Sequence, residues 1–470
     1  MKYALSIFTT LAIIIGALLF VQYQVHSTQV DYDSKDFQFA QEIEIDYRNN
    51  SLDVRHTFKN LPTGEVAITI PAAAQAVDCF LETENSCKRL DLNKMHILPG
   101  ETKSQTISYV IPLTVDLSQN QTFRNIFATL DNGTVQYSTV HISTDSATNG
   151  QWVMGIPLVG EQQLSLVNYT MFSGKGNVAD LYWDTQKIAQ TNLHEQITLY
   201  TPYSVSAEFI EDVQQMKWLN DSFISIVQGN PIYSGERILF MEEVTLQTVQ
   251  TAILYAQLEQ LYQFDENVPL WLKEVVMSSM TDELIGSEKA QAITSTLKEK
   301  LGEKQWRVWQ TKLSTFEGKA LSVEMLNEAL SEVLNNQTNY FVKNSEVDYV
   351  YPFYYIDGRP LIVNGSEPLT IDLIFYEGKV LYNADQLLPA LGYTAYVGEN
   401  GYYVNSESRI FRFPQGHNFY VYNQRRYETT SEPFTILDGE HYIEESWFQR
   451  LFLVNIKKQE AEIIIQQNNE

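Results

Sequence analysis

The chain has 470 residues, too many for one ordinary core, and at about 100–200 residues per domain it divides into about three. Its formal charge of -26 disfavours sequence-independent nucleic-acid binding, which needs clustered Lys and Arg to displace counterions from phosphates. The carboxylates are spread along the chain instead of forming one run, so the charge describes a solvated acidic surface.

Lys2 precedes the uncharged run Ala4–Val21, ALSIFTTLAIIIGALLFV. As a helix this run would reach about 27 Å, close to the roughly 30 Å hydrocarbon thickness of a bilayer and longer than the apolar region of a cleaved signal peptide. Val25-His26-Ser27 is a poor cleavage site. Residues 1–27 are therefore expected to be a signal anchor, with residues 4–21 in the cell membrane. Lys2 inside and Asp31, Asp33 and Asp36 outside make the bulk of the chain extracellular on a single pass, or secreted if the anchor is cleaved.

Over residues 28–201 short alternating runs such as FAQEIEIDYR, SLDVRHTFK and SQTISYVIPL are separated by Pro-Thr-Gly, Asp-Asn-Gly and Thr-Asn-Gly. Period-two alternation bounded by turn residues predicts antiparallel strands and a β-sandwich. The two cysteines, Cys79 and Cys87, lie in CFLETENSC, where a local disulfide suits an oxidising compartment. His56, His96, His141 and His194 show no metal-ligand spacing and read as isolated polar residues at strand ends.

Residues 202–345 change period. AEFIEDVQQMKWLNDSFISIV, VTLQTVQTAILYAQLEQLYQ, SEKAQAITSTLKEKLG, EKQWRVWQTKL and SVEMLNEALSEVLNNQ place apolar residues three and four apart, predicting a mostly helical domain. Ser287 and Ser322 stand at N-cap positions, Gly302 and Gly318 at helix stops, and Ile238-Leu239-Phe240 as a candidate strand. Trp306 and Trp309 share one helical face and read as core.

In residues 346–470 a pattern recurs after 61 positions, Gly378 matching Gly439 and Leu387 matching Phe448. Each copy reads strand, Gly turn, strand, short helix, strand, strand. A repeat this short cannot close a core alone, so two copies are expected to pair into one α+β unit. The stretches Leu361–Gly365, Tyr376–Tyr382 and Leu387–Tyr393, with the second copy, resemble the copper amine oxidase N-terminal-like (stalk) domain of Gram-positive extracellular proteins. Leu381-Tyr382-Asn383-Ala384 and Tyr442-Ile443-Glu444-Glu445 depart from that family's Val-Pro-Leu-Arg element. The resemblance implies neither copper nor a quinone, and His417 and His441 alone are too few for a three-histidine copper site.

In the helical domain, Pro269-Leu270-Trp271-Leu272-Lys273-Glu274 resembles the second helix of gluzincin metallopeptidases. That family binds zinc through His-Glu-x-x-His on the preceding helix and a carboxylate on this one. The corresponding positions here are Tyr255, Ala256, Glu259 and Glu274, so both histidines and the general base are replaced. No histidine lies between His194 and His417 to supply them in another register.

The expected whole is a multidomain α+β protein: membrane anchor helix, β-sandwich, mostly helical degenerate peptidase-like domain and C-terminal α+β repeat domain. No catalytic, cofactor or metal residues are assigned. The leading expectation is a non-catalytic surface protein that binds a cell-wall polymer or a surface protein through its stalk-like domain. A cell-surface hydrolase with Glu259 or Glu274 as base, and an envelope sensor or assembly subunit, are the alternatives.

Overall fold

The computed structural model describes residues 37–79, 89–229, 235–371 and 373–468. The anchor expected over residues 1–27 lies outside them, as does Cys87. Among the described residues no helix is long and apolar enough to cross a membrane. Cys79 is disulfide-bonded. The chain forms two compact units, one running to Gln215 and adding Asp221–Thr248, the other joining Met216–Asn220 to Val249–Glu470.

The first unit is β-rich. Its seven-stranded sheet has the order Leu158–Gln163, Val167–Lys175, Gly133–Asp145, Phe37–Arg48, Ser51–Lys59, Ser104–Pro112 and Gln75–Cys79. Alternate residues such as Ile43, Ile45, Val54, Phe58 and Ile107 point into one core, which two three-stranded sheets complete with Ile68, Phe123, Trp152 and Trp183. Period-two alternation thus gives the central strands Gly133–Asp145, Phe37–Arg48, Ser51–Lys59 and Ser104–Pro112 one buried face, whereas Gln151–Met154 and Asp180–Asp184 are buried throughout. The sheet is not wholly antiparallel as expected: Phe37–Arg48 runs parallel to Gly133–Asp145, because the long intervening stretch lets a crossover replace a hairpin. His56 is also not at a strand end. It is fully buried within Ser51–Lys59, stacked on Phe58 with ring centroids 4.1 Å apart, and its Nε2 lies 3.0 Å from Gln41 Oε1.

Ala189–His194, Ile197–Thr201, Ile224–Gln228 and Ile238–Met241 form a four-stranded mixed sheet. The boundary expected between residues 201 and 202 falls inside this sheet. The helix expected across residues 207–227 ends at Gln215 (α1, Ala207–Gln215). Ile224–Gln228 is instead a strand with parallel neighbours on both sides and its first four residues buried. A central parallel strand covered on both faces reads as a continuous apolar run, which short-range periodicity confuses with a helix.

The second unit contains α2 (Leu246–Leu261), which enters it from the first, then α3 (Leu270–Thr281), α4 (Glu288–Ser314), α5 (Val323–Leu334) and α6 (Tyr340–Glu346). Ser287 Oγ accepts from Ala290 N and Ser322 Oγ from Met325 N, capping α4 and α5. Gly302, at φ 62° and ψ 175°, interrupts α4, so its two halves correspond to the two periodic runs of the sequence. Trp306 and Trp309 are buried in the core with Leu258, Leu272, Ile293 and Leu330.

The C-terminal part of this unit repeats its elements. Leu373–Tyr376, Lys379–Asn383 and α7 (Ala384–Ala390), with the hairpin Thr394–Gly398 and Gly401–Asn405, correspond to Phe434–Leu437, Glu440–Glu444 and α8 (Glu445–Phe452), with Val454–Lys458 and Ile463–Gln467. Each copy opens with a two-residue turn, Glu377-Gly378 and Asp438-Gly439, whose φ angles of 47°, 76°, 52° and 80° are the left-handed pair that joins twisted strands best. The copies pair through their second strands, antiparallel, with Tyr382 opposite Ile443. Those two residues are repeat equivalents, so a local two-fold axis passes between them. Tyr349 Oη donates to Asp438 Oδ1 at 2.8 Å and Thr338 Oγ1 to Tyr354 O at 2.9 Å, tying the helical part to the repeat part across the boundary expected between residues 345 and 346.

Candidate functional site

Helices α2 and α3 bring two of the four peptidase-like positions together. Tyr255 on α2 donates through its Oη to Glu274 Oε1 on α3 at 2.8 Å. The other oxygen, Oε2, accepts from Ser287 N at 2.9 Å and from Ser287 Oγ at 2.5 Å. Glu274 is only 6% exposed, and these three hydrogen bonds replace the hydration that its side chain gives up on burial. Burial, the hydrogen bond to Glu274 and the charge of that carboxylate all push the Tyr255 phenol well above its ordinary value, so Tyr255 is a donor over the whole physiological range.

The backbone leading into α4 is shaped for this contact. Gly286 has φ +88°, and a Cβ there would lie 2.4 Å from Glu274 Cδ. Only glycine gives both the left-handed turn and the space for the glutamate. On α3 itself, Ser279 Oγ donates to Val275 O and accepts from Trp309 Nε1 at 3.1 Å. On α2, Gln257 accepts from Leu219 N at 2.8 Å and donates to Asn220 O at 3.0 Å.

Ala256 is buried, whereas Glu259 is exposed on α2; the structure does not bring these two into the Tyr255–Glu274 cluster. The sequence marked Glu274, and Ser287 as a helix cap, but neither Gly286 nor the bond between Ser287 and Glu274, although the Gly-Ser pair at the start of a helix was a signal. Among the described residues no group of three His, Cys, Asp or Glu side chains is placed to hold a metal ion. Chemically, the cluster offers a carboxylate engaged at both oxygens.

A second polar cluster was not foreseen. In the repeat domain Asp385, in the first turn of α7, accepts from Tyr402 Oη at 2.6 Å and from His441 N at 2.8 Å. The rings of Tyr402 and His441 stack with centroids 3.9 Å apart at 9°. Burial, with the hydrogen bond to Asp385 and its charge, raises the Tyr402 phenol far above its usual range. Tyr402 and His441 line a groove of about 800 Å³ that also includes Arg412, His417 and Phe419.

No protein-family model matches this sequence, and no curated protein matches it. Among solved structures, similarity is found to a mutant M1 zinc metallopeptidase from Deinococcus radiodurans, at 10% identity over 68% of this chain and 95% of that one, with a TM-score of 0.42. The unsubstituted Deinococcus radiodurans enzyme gives 11% identity, 66% and 92% coverage and a TM-score of 0.39. The yeast LTA4 hydrolase gives 12%, 68%, 69% and 0.38 in the same order.

Proposed function

We propose that this chain is a membrane-anchored, extracellular, non-catalytic binding protein. Its helical domain retains a peptidase-like frame as scaffold, and its repeat domain recognises a cell-wall polymer or a surface protein. The observation that carries this reading is the Tyr255–Glu274–Ser287 cluster: the residue at the carboxylate-ligand position is bonded to the residue at the first-histidine position and to a helix cap. With no histidine between His194 and His417, the frame has no imidazole pair with which to hold zinc. The charge of -26 and the apolar run Ala4–Val21 support the cell-exterior part of the proposal.

The test is zinc content by mass spectrometry together with cleavage of a mixed fluorogenic peptide pool. About one tightly held zinc per chain with chelator-sensitive cleavage overturns the reading; neither is expected. Glu259 is exposed, so a hydrolase using Glu259 or Glu274 as base is the competing reading. Any turnover that survives both Glu259→Gln and Glu274→Gln removes that version.

A further inference from the structure

The five-stranded sheet of the repeat domain has the order Tyr355–Asp357, Leu373–Tyr376, Lys379–Asn383, Glu440–Glu444, Phe434–Leu437. Under the local two-fold, Phe434–Leu437 is the counterpart of Leu373–Tyr376. The outer edge of Leu373–Tyr376 is covered by an antiparallel strand of the chain itself, with Tyr355 opposite Phe375, Ile356 opposite Ile374 and Asp357 opposite Leu373. The equivalent edge of Phe434–Leu437 has no strand beside it among the described residues.

Which main-chain groups that edge presents follows from the hairpin. Across a two-residue turn Leu437 pairs with Glu440, and Thr435 with Tyr442; these are the pairs that exchange hydrogen bonds, so Phe434 and Ile436 turn their N–H and C=O groups outward. Glu444 N donating to Pro433 O fits the same parity. The repeat equivalents of Phe434 and Ile436 are Leu373 and Phe375, the two residues opposite Asp357 and Tyr355. The groove of about 800 Å³ is lined by Glu432, Pro433, Phe434, Thr435 and Ile436 in succession. Successive side chains of a strand point to opposite faces, so a cavity touching all of them runs along the strand edge, not over one face.

We propose that this edge binds an extended peptide segment of a partner protein by antiparallel strand addition, in the position that Tyr355–Asp357 occupies on the other half. The proposal rests on the reading of the repeat domain as the recognition module and names what it recognises. Main-chain pairing to Phe434 and Ile436 supplies affinity, and the groove supplies selectivity through Tyr402, Phe413 and Phe419. Arg412, Glu399 and Glu432 also line the groove; this mixed charge suits a peptide of mixed charge and disfavours a polyanion.

The experiment uses the intact protein and an array of acetylated, amidated random heptapeptides, the best binder being remeasured in solution by fluorescence anisotropy. N-methylation of that peptide is expected to weaken binding at least tenfold at alternate amides and less than twofold at the others. Ile436→Pro removes an outward N–H without touching the ladder to Glu440–Glu444 and is expected to weaken binding at least tenfold. An array with no binder overturns the proposal, as does a binder indifferent to every N-methylation, a measurement that does not depend on the variant folding. Binding of soluble wall glycan to the same groove, with no peptide bound, overturns strand addition while leaving the repeat domain a recognition module. Zinc-dependent cleavage would overturn the non-catalytic reading without bearing on the groove.

Discussion

The Tyr255–Glu274 contact makes a quantitative prediction. Removing the phenol oxygen with Tyr255→Phe deletes a 2.8 Å hydrogen bond to a carboxylate that is 6% exposed; bonds to charged groups contribute about 1.5–3 kcal/mol, and the orphaned oxygen adds a desolvation term. Glu274→Gln keeps one acceptor but presents an amide NH2 either to Tyr255 or to Ser287, both of which donate to it in the native protein. Each single change should lower the local stability of α2 and α3 by about 2 kcal/mol, and the pair should be non-additive by about 1–2 kcal/mol, because both act on one hydrogen-bond network. The chain has two compact units, so global denaturation would blur the effect. Native-state hydrogen exchange of the α3 amides reads the local opening free energy directly. A coupling below about 0.5 kcal/mol would show that the two side chains do not depend on one another and would remove the basis for reading the cluster as a structural bond of the scaffold.

Four further outcomes follow from other side chains of the structure. Gly286→Ala forces a Cβ to 2.4 Å from Glu274 Cδ at φ +88° and should destabilise α3 by about 2–4 kcal/mol in the same exchange experiment. Arg89, 3% exposed, donates to the carbonyls of Leu98, Thr102, Pro62 and Gly64; Arg89→Lys cannot reach four acceptors, and its urea midpoint should fall by an amount equivalent to about 2–4 kcal/mol. Burial pushes the His56 imidazole down to about 3 from 6.5. The unfolded chain therefore takes up a proton below about pH 6.5 that the folded chain refuses, so stability falls as pH drops from about 6.5 towards 3. At pH 5 the loss is about 2 kcal/mol relative to pH 8; it should be absent from His56→Gln and appear in full as the difference between wild-type and His56→Gln urea unfolding. Finally, Tyr255→His, Ala256→Glu and Glu259→His together introduce a His-Glu-x-x-His motif on α2, one helix ahead of Glu274; about one zinc per chain is expected by mass spectrometry, and none would argue against a peptidase-like frame.

Local chemistry was the legible part of this chain. The serine caps at Ser287 and Ser322, the break at Gly302 and the turns at Gly378 and Gly439 all act within a few residues, so the sequence shows them. The 61-residue recurrence was readable for the same reason, each copy carrying its own turn and helix. Ile224–Gln228 was not, because burial on both faces erases the alternation that marks a strand. The Asp385–Tyr402–His441 cluster was invisible for a different reason: His441 lies 56 positions from Asp385, and only the pairing of the two copies brings them together. Tyr255 and Glu274 were marked as positions, but a tyrosine and a glutamate are too common for their bond to be read from the letters.

Gln257 has one more implication. It holds Leu219 N and Asn220 O, and those residues belong to a five-residue island, Met216–Asn220, set in sequence between stretches of the other unit. During synthesis the island emerges ahead of Gln257, 38 residues before it at Leu219, and waits for α2 before it can dock. A fragment starting at Val249 would lack the island and leave a buried amide with neither partner. Lys217, which donates to Thr281 O at 3.0 Å, would be lost with it. The second unit is therefore not a stretch of chain that a single cut can release intact.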